Sequence, residues 1–121
     1  MIRAVKFVSV PVTDQDRALA FYTGKLGFAI ATDQPMGPDA RWIELRIPGA
    51  ETRLVLWKPQ PGQPQAGGFM NMAFSADDVE TTYQELLARG VEFSQPYKVE
   101  PWGASAIFRD PDGNEFVIST K

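Results

Sequence analysis

The sequence predicts an α+β fold in which two βαβββ modules in tandem form a curved mixed sheet with a central cleft. Three observations carry that expectation. Hydrophobic periodicity gives the order strand, helix, strand, strand, strand twice over. An offset of 64 residues sets Phe7 over Asn71 and Asp14 over Asp78, and an offset of 62 sets Leu54-Val55-Leu56 over Phe116-Val117-Ile118. Between the copies runs a stretch with three prolines and no hydrophobic periodicity, which reads as a connector of partly extended character. One domain is therefore expected, with module 1 at residues 1–58, a linker at 59–68 and module 2 at 69–121.

Residues 5–12 alternate as a strand, with Val8, Val10 and Val12 on one face, although Pro11 is unusual for a central strand. Thr13 or Asp14 caps a helix over 14–25, where Ala18, Phe21, Tyr22 and Leu26 recur at helical spacing and Gly24 and Gly27 stop it. Three further strands are expected at 28–32, 41–47 and 52–57, the last two joined through a Pro48-Gly49 turn. The second copy opens with a strand at 69–75. Asp77 is expected to cap the next helix with Glu80 at the reciprocal capping-box position, and Val79, Tyr83, Leu86 and Leu87 lie on one face. Gly90 ends that helix. Strands at 91–93, 104–109 and 115–120 follow, with a turn at Asp110-Pro111-Asp112-Gly113 between the last two.

Composition narrows the function. The 121 residues are 44% hydrophobic and 22% charged, as in a folded globular domain. A formal charge of −3 with scattered basic residues argues against a nucleic-acid footprint. No stretch approaches the ~18 apolar residues of a membrane span, and the first residues carry no apolar run of signal-peptide length, so a cytoplasmic protein is expected. The chain has neither cysteine nor histidine, which removes disulfides, thiol nucleophiles and imidazole ligands together.

Three stretches carry a resemblance. They are Phe7 to Asp14 followed by Ala20-Phe21-Tyr22 and Leu26-Gly27-Phe28, then Asn71 to Asp78, and then Phe108-Arg109-Asp110-Pro111-Asp112-Gly113-Asn114. Together they resemble the vicinal oxygen chelate superfamily of glyoxalase I, extradiol dioxygenases, fosfomycin resistance enzymes and bleomycin-binding proteins. The resemblance implies the glyoxalase-like fold, and in its metal-dependent members a ligand from the first and the last strand of each module. Those four places hold Phe7, Val55, Asn71 and Val117 here. Three apolar side chains and one amide do not make a divalent-ion site, so neither metal nor cofactor is expected. Glu44 resembles the Glu of glyoxalase I, but by the repeat it lies in the third strand, one hairpin early.

A side chain at a ligand position points into the expected cleft, and so do its neighbours two residues away. That parity nominates Phe7, Ser9, Arg53, Val55, Trp57, Phe69, Asn71 and Val117 as ligand-binding, together with Trp42 and Glu44 in the third strand. Apolar walls with a few polar groups suit a small molecule. Each residue also has a structural reading: Phe7 and Val117 as core, the three tryptophans, Trp102 included, as core or interface anchors, Asn71 as a buried amide. Asp110 and Asp112 resemble part of a calcium loop but read as a turn. Asp33 to Asp39 and Gln95 to Trp102 are read as lids or as surface connectors.

The expected function is capture of a hydrophobic or aromatic small molecule in the inter-module cleft, as in resistance by sequestration. One alternative is a glyoxalase- or dioxygenase-type lyase or oxidoreductase with a non-standard site. Another is metal-free acid–base catalysis by Glu44 or Glu115, with a raised carboxylate pKa and Arg53 steadying an anion. A homodimer is implied by the resemblance. The expected partner is a small molecule, not a nucleic acid or a membrane.

Overall fold

The computed structural model describes residues 1–120, which fall into two units, the first Met1–Ala66 and the second beginning at Gly67. The first carries β1 (Phe7–Pro11), α1 (Gln15–Gly24), β2 (Ala29–Pro35), β3 (Arg41–Arg46) and β4 (Arg53–Trp57). The second carries β5 (Phe69–Ala76), α2 (Val79–Ala88), β6 (Glu92–Glu100), β7 (Gly103–Arg109) and β8 (Glu115–Thr120). Each unit has its own four-stranded mixed sheet, ordered β1-β4-β3-β2 and β5-β8-β7-β6. The first and last strands of each unit run parallel and the other pairs antiparallel, so the repeat seen in the sequence is a repeat of topology. Among the described residues no helix is long and apolar enough to cross a membrane.

In the first unit the apolar side of the sheet is set by β-strand alternation. Val10, Leu54, Leu56, Ile43 and Leu45 are all at most 1% exposed, and α1 contributes the buried Ala18, Phe21 and Tyr22. Asp14 caps α1 by accepting the Arg17 backbone N–H. The next residue fastens the helix to the sheet. Gln15 is buried, donates through Nε2 to the carbonyls of Arg41 (2.7 Å) and Leu56 (3.0 Å), and accepts the Arg41 N–H at 3.0 Å. Pro11 is tolerated because β1 is an edge strand. In the second unit Phe74, Phe108 and Phe116 pack with ring centroids 5.3 to 6.1 Å apart beneath α2.

Four expectations from the sequence need correction. Asp78, not Asp77, caps α2 by accepting the Thr81 N–H, so Glu80 falls in the first turn without closing a capping box. Leu87 is 41% exposed rather than on the buried face with Val79 and Leu86. The strand expected at 91–93 runs on as β6 to Glu100, so Gln95 to Trp102 is mostly strand rather than a lid; Pro96 is accommodated because β6 is an edge. Likewise β2 extends to Pro35, and the loop that follows is short, closed by Met36 N–H donating to the Ala40 carbonyl at 2.9 Å. Gly27 and Gly90, which end the two helical segments, have φ of 77° and 84°, a region that side chains with a Cβ avoid.

Candidate functional site

Register decides which side chains share a face, because directly paired residues of neighbouring strands project to the same side. Phe7 pairs with Arg53, Ser9 with Val55 and Pro11 with Trp57, while Glu44 pairs with Val55 from the other flank. Those residues occupy the side of the first sheet opposite Val10, Leu54 and Leu56. Trp42 joins them, its ring 5.4 Å from Phe7 at 80° and 5.9 Å from Trp57 at 61°. Edge-to-face contacts of this kind hold three aromatic rings in a fixed box.

A cavity of about 420 Å³ opens beside that box. Phe7, Pro11, Trp42, Trp57 and Pro64 form its walls, with Ser9 and Gln63 as the polar members. Pro64 and Gln63 belong to the expected linker, which is not a featureless connector. The Gln63 amide oxygen accepts the Trp57 indole N–H at 3.0 Å and the Gln60 backbone N–H at 2.8 Å. Gln65 Nε2 adds bonds to the carbonyls of Gln60 and Gln63, so residues 60–65 form a hydrogen-bonded strap fastened to Trp57. Sequence reasoning missed Pro11, Gln63 and Pro64. Pro11 shares the parity of Phe7 and Ser9 and was within reach; the two strap residues carry no periodic signal.

Glu44 is buried on the same face. Its Oε2 accepts the Trp42 indole N–H at 2.7 Å and its Oε1 accepts Arg53 Nη1 at 3.0 Å. The Trp42 bond first, then Arg53, hold its carboxyl below the usual carboxylate range. The raised pKa expected of a general acid or base is therefore overturned, and Arg53 is engaged with Glu44. The same correction applies to Glu115, whose pKa is lowered by a hydrogen bond from Ser94 and by Arg109. Val55 is fully buried.

The nominated residues of the second unit lie on the equivalent side of its own sheet. Ala73 pairs with Val117 and Ser75 with Ser119, and β5 alternates strictly, exposing Phe69, Asn71 and Ala73. Asn71 is not the buried amide considered from sequence. A register shift between Phe69 and Ala73 sets Phe69, rather than Asn71, opposite Glu115. Trp102 lies at the β6–β7 hairpin tip and is 65% exposed. Asp110 and Asn114 form a turn that closes on itself: the Asp110 carboxylate accepts from Asp112 N, Asn114 N and Asn114 Nδ2, all at 2.9 Å. Asn114 Oδ1 in turn accepts the Gly67 N–H at 2.9 Å, tying the start of the second unit to its last hairpin.

The residues at the expected metal-ligand places do not fit a divalent ion. Phe7 and Val55 offer hydrocarbon, both Glu44 oxygens are engaged by Trp42 and Arg53, and Val117 and Asn71 supply a single amide. Among the described residues no group of three or more His, Cys, Asp or Glu side chains is placed to hold a metal.

Comparison with known proteins agrees with the topology. The profile of the Glyoxalase/Bleomycin resistance protein/Dioxygenase superfamily matches residues 4–118. The uncharacterized protein YetH of Bacillus subtilis (strain 168) is 40% identical over 119 residues, covering 98% of both chains. A solved member of the same superfamily from Sphaerobacter thermophilus DSM 20745 superposes with a TM-score of 0.89 at 32% identity, covering 99% of this chain and 98% of that one. TnmS3, an antibiotic binding protein from Streptomyces sp. CB03234, superposes with a TM-score of 0.87 at 38% identity, covering 98% of this chain and 96% of that one.

Proposed function

This chain belongs to the Glyoxalase/Bleomycin resistance protein/Dioxygenase superfamily, and on that footing we propose that it is a binding protein that captures a hydrophobic or aromatic small molecule without a metal. The observation that carries the proposal is the aromatic box: Phe7 and Trp57, each in edge contact with Trp42, join it in walling a cavity of about 420 Å³ with few polar groups. A cavity of that size and lining suits a small organic ligand, with rings for affinity and a little polarity for orientation. The likeness to an antibiotic-binding protein supports capture of a compound of this kind, with resistance by sequestration as the biological use. No observation favours the enzymatic alternatives, since the metal-ligand places hold three apolar side chains and one amide, and both candidate carboxylates are held ionised by hydrogen bonds and ion pairs.

Isothermal titration of the protein against a panel of polycyclic aromatic compounds and antibiotics tests the proposal. Saturable binding is expected, weakened at least about fivefold by Trp57→Ala, because base-sized aromatic stacking contributes roughly 1–3 kcal/mol. Absence of binding across the panel, or binding indifferent to Trp57, would overturn it. The same reading has the two units act as one glyoxalase-like domain in a cytoplasmic homodimer. The exposed Val99 and Trp102 at the β6–β7 hairpin support an interface between copies, which sedimentation equilibrium would test.

A further inference from the structure

The side-chain hydrogen-bonding capacity left over in the aromatic cavity is weighted toward donors. Both indole N–H groups are engaged, Trp42 with Glu44 and Trp57 with Gln63. The phenyl and pyrrolidine walls have no polar side-chain atoms. The Gln63 amide oxygen accepts two N–H donors, Trp57 Nε1 at 3.0 Å and Gln60 N at 2.8 Å, and this fixes which end of the amide is oxygen. What remains to Gln63 is its –NH₂, for which the structure has no acceptor among the described residues. Apart from that group the lining side chains offer the Ser9 hydroxyl, a donor and acceptor in one. The carboxylate on this face, Glu44, is already neutralised by Arg53 at 3.0 Å, so the cavity offers a cationic ligand no unpaired counter-charge.

Resting on the binding reading above, we propose that Gln63 is a specificity-determining residue: the cavity takes aromatic molecules that carry an acceptor oxygen, such as a ring-conjugated carbonyl, and disfavours ring systems that carry an ammonium. Gln63 serves both halves of the site. Its oxygen holds the strap on Trp57, and its –NH₂ is the polar anchor for the ligand. The two roles separate in one substitution. In Gln63→Glu a carboxylate oxygen still accepts the Trp57 and Gln60 N–H groups, while the remaining position changes from donor to charged acceptor.

Two matched probes read the difference: 2-acetylnaphthalene, with a carbonyl acceptor, and 2-(aminomethyl)naphthalene, with an ammonium on the same ring system. The native protein is expected to bind the ketone more tightly than the ammonium. Gln63→Glu is expected to weaken the ketone roughly three- to tenfold, the worth of one hydrogen bond, and to strengthen the ammonium by a similar factor. The Trp57 indole N–H signal in a nitrogen-resolved spectrum should hold its position in Gln63→Glu and move in Gln63→Leu, which removes the strap acceptor. Unchanged affinities for both probes in Gln63→Glu, with Trp57→Ala still weakening both, would overturn the polarity assignment and leave the binding site standing. Failure of the native protein to bind either naphthalene would overturn both.

Discussion

Glu44 is nine residues from Arg53 in sequence and 3.0 Å from it in space, because the β3–β4 hairpin sets Glu44 opposite Val55 and Arg53 two residues further along the same face. Parity alone put both residues on that face. What parity does not contain is the pairing, which depends on hairpin register, and so the carboxylate looked unpaired and open to a raised pKa. The Trp42 and Arg53 bonds instead lower it. A depressed folded value means that the stabilisation is complete above the ordinary carboxylate pKa and is lost as the pH falls through the lowered one. Glu44→Gln is expected to destabilise the protein by about 1 kcal/mol near neutrality, the usual worth of a charged hydrogen bond reduced for a partly exposed partner. Urea unfolding at a series of pH values should show the gap between native and variant closing as the pH drops below about 4.3. A gap that widened on acidification would mean the ion pair is not what stabilises Glu44.

The elements themselves were legible where one face is buried and ambiguous where both are not. β1, β3, β4, β7 and β8 fell within a residue or two of their predicted places because Val, Leu, Ile and Phe alternate along them, apart from β1, whose first two expected residues stay outside the strand. The edge strands β2 and β6 were cut short in prediction, as their polar residues and their prolines, Pro35 and Pro96, carry ordinary loop signals. Helix placement was nearer, but nothing in the periodicity shows how α1 is fastened. Gln15 reads as an ordinary first-turn polar residue, yet it is buried and bridges the ends of β3 and β4 through three backbone bonds. Gln15→Ala therefore leaves the part-buried backbone groups of Arg41 and the buried carbonyl of Leu56 without this partner. A loss of about 2–3 kcal/mol is expected, read as a lower urea midpoint with an unchanged slope. A loss below about 0.5 kcal/mol would show that water or a backbone shift replaces the clamp.

Across the whole chain the two units share strand order and parallel pairing, yet their corresponding faces differ in chemistry. The positions that hold Phe7 and Trp57 in the first unit hold Asn71 and Ser119 in the second by the same offsets, so two aromatic places in one copy of the frame are polar in the other. The shared strand order was legible because repeat spacing survives when side chains change, whereas the four places assigned to a metal came from the resemblance. The strap was not, since its contact with Trp57 comes from hydrogen bonds of Gln63 rather than from any repeat. With hydrocarbon or amide at the four places, the folded state is expected to gain nothing from a divalent ion. An ion that bound the folded protein at a hundred times its Kd would add about 2.7 kcal/mol, and removing it would lower Tm by several degrees. Untagged protein is therefore expected to carry nickel, zinc and iron well below one equivalent by elemental analysis. Adding a chelator should move Tm by less than about 1 °C, since no linked binding energy is withdrawn. A stoichiometric ion together with a Tm that falls on chelation would show that oxygens other than those of the four repeat positions assemble a metal centre, and the metal-free binding reading would give way to an enzymatic one.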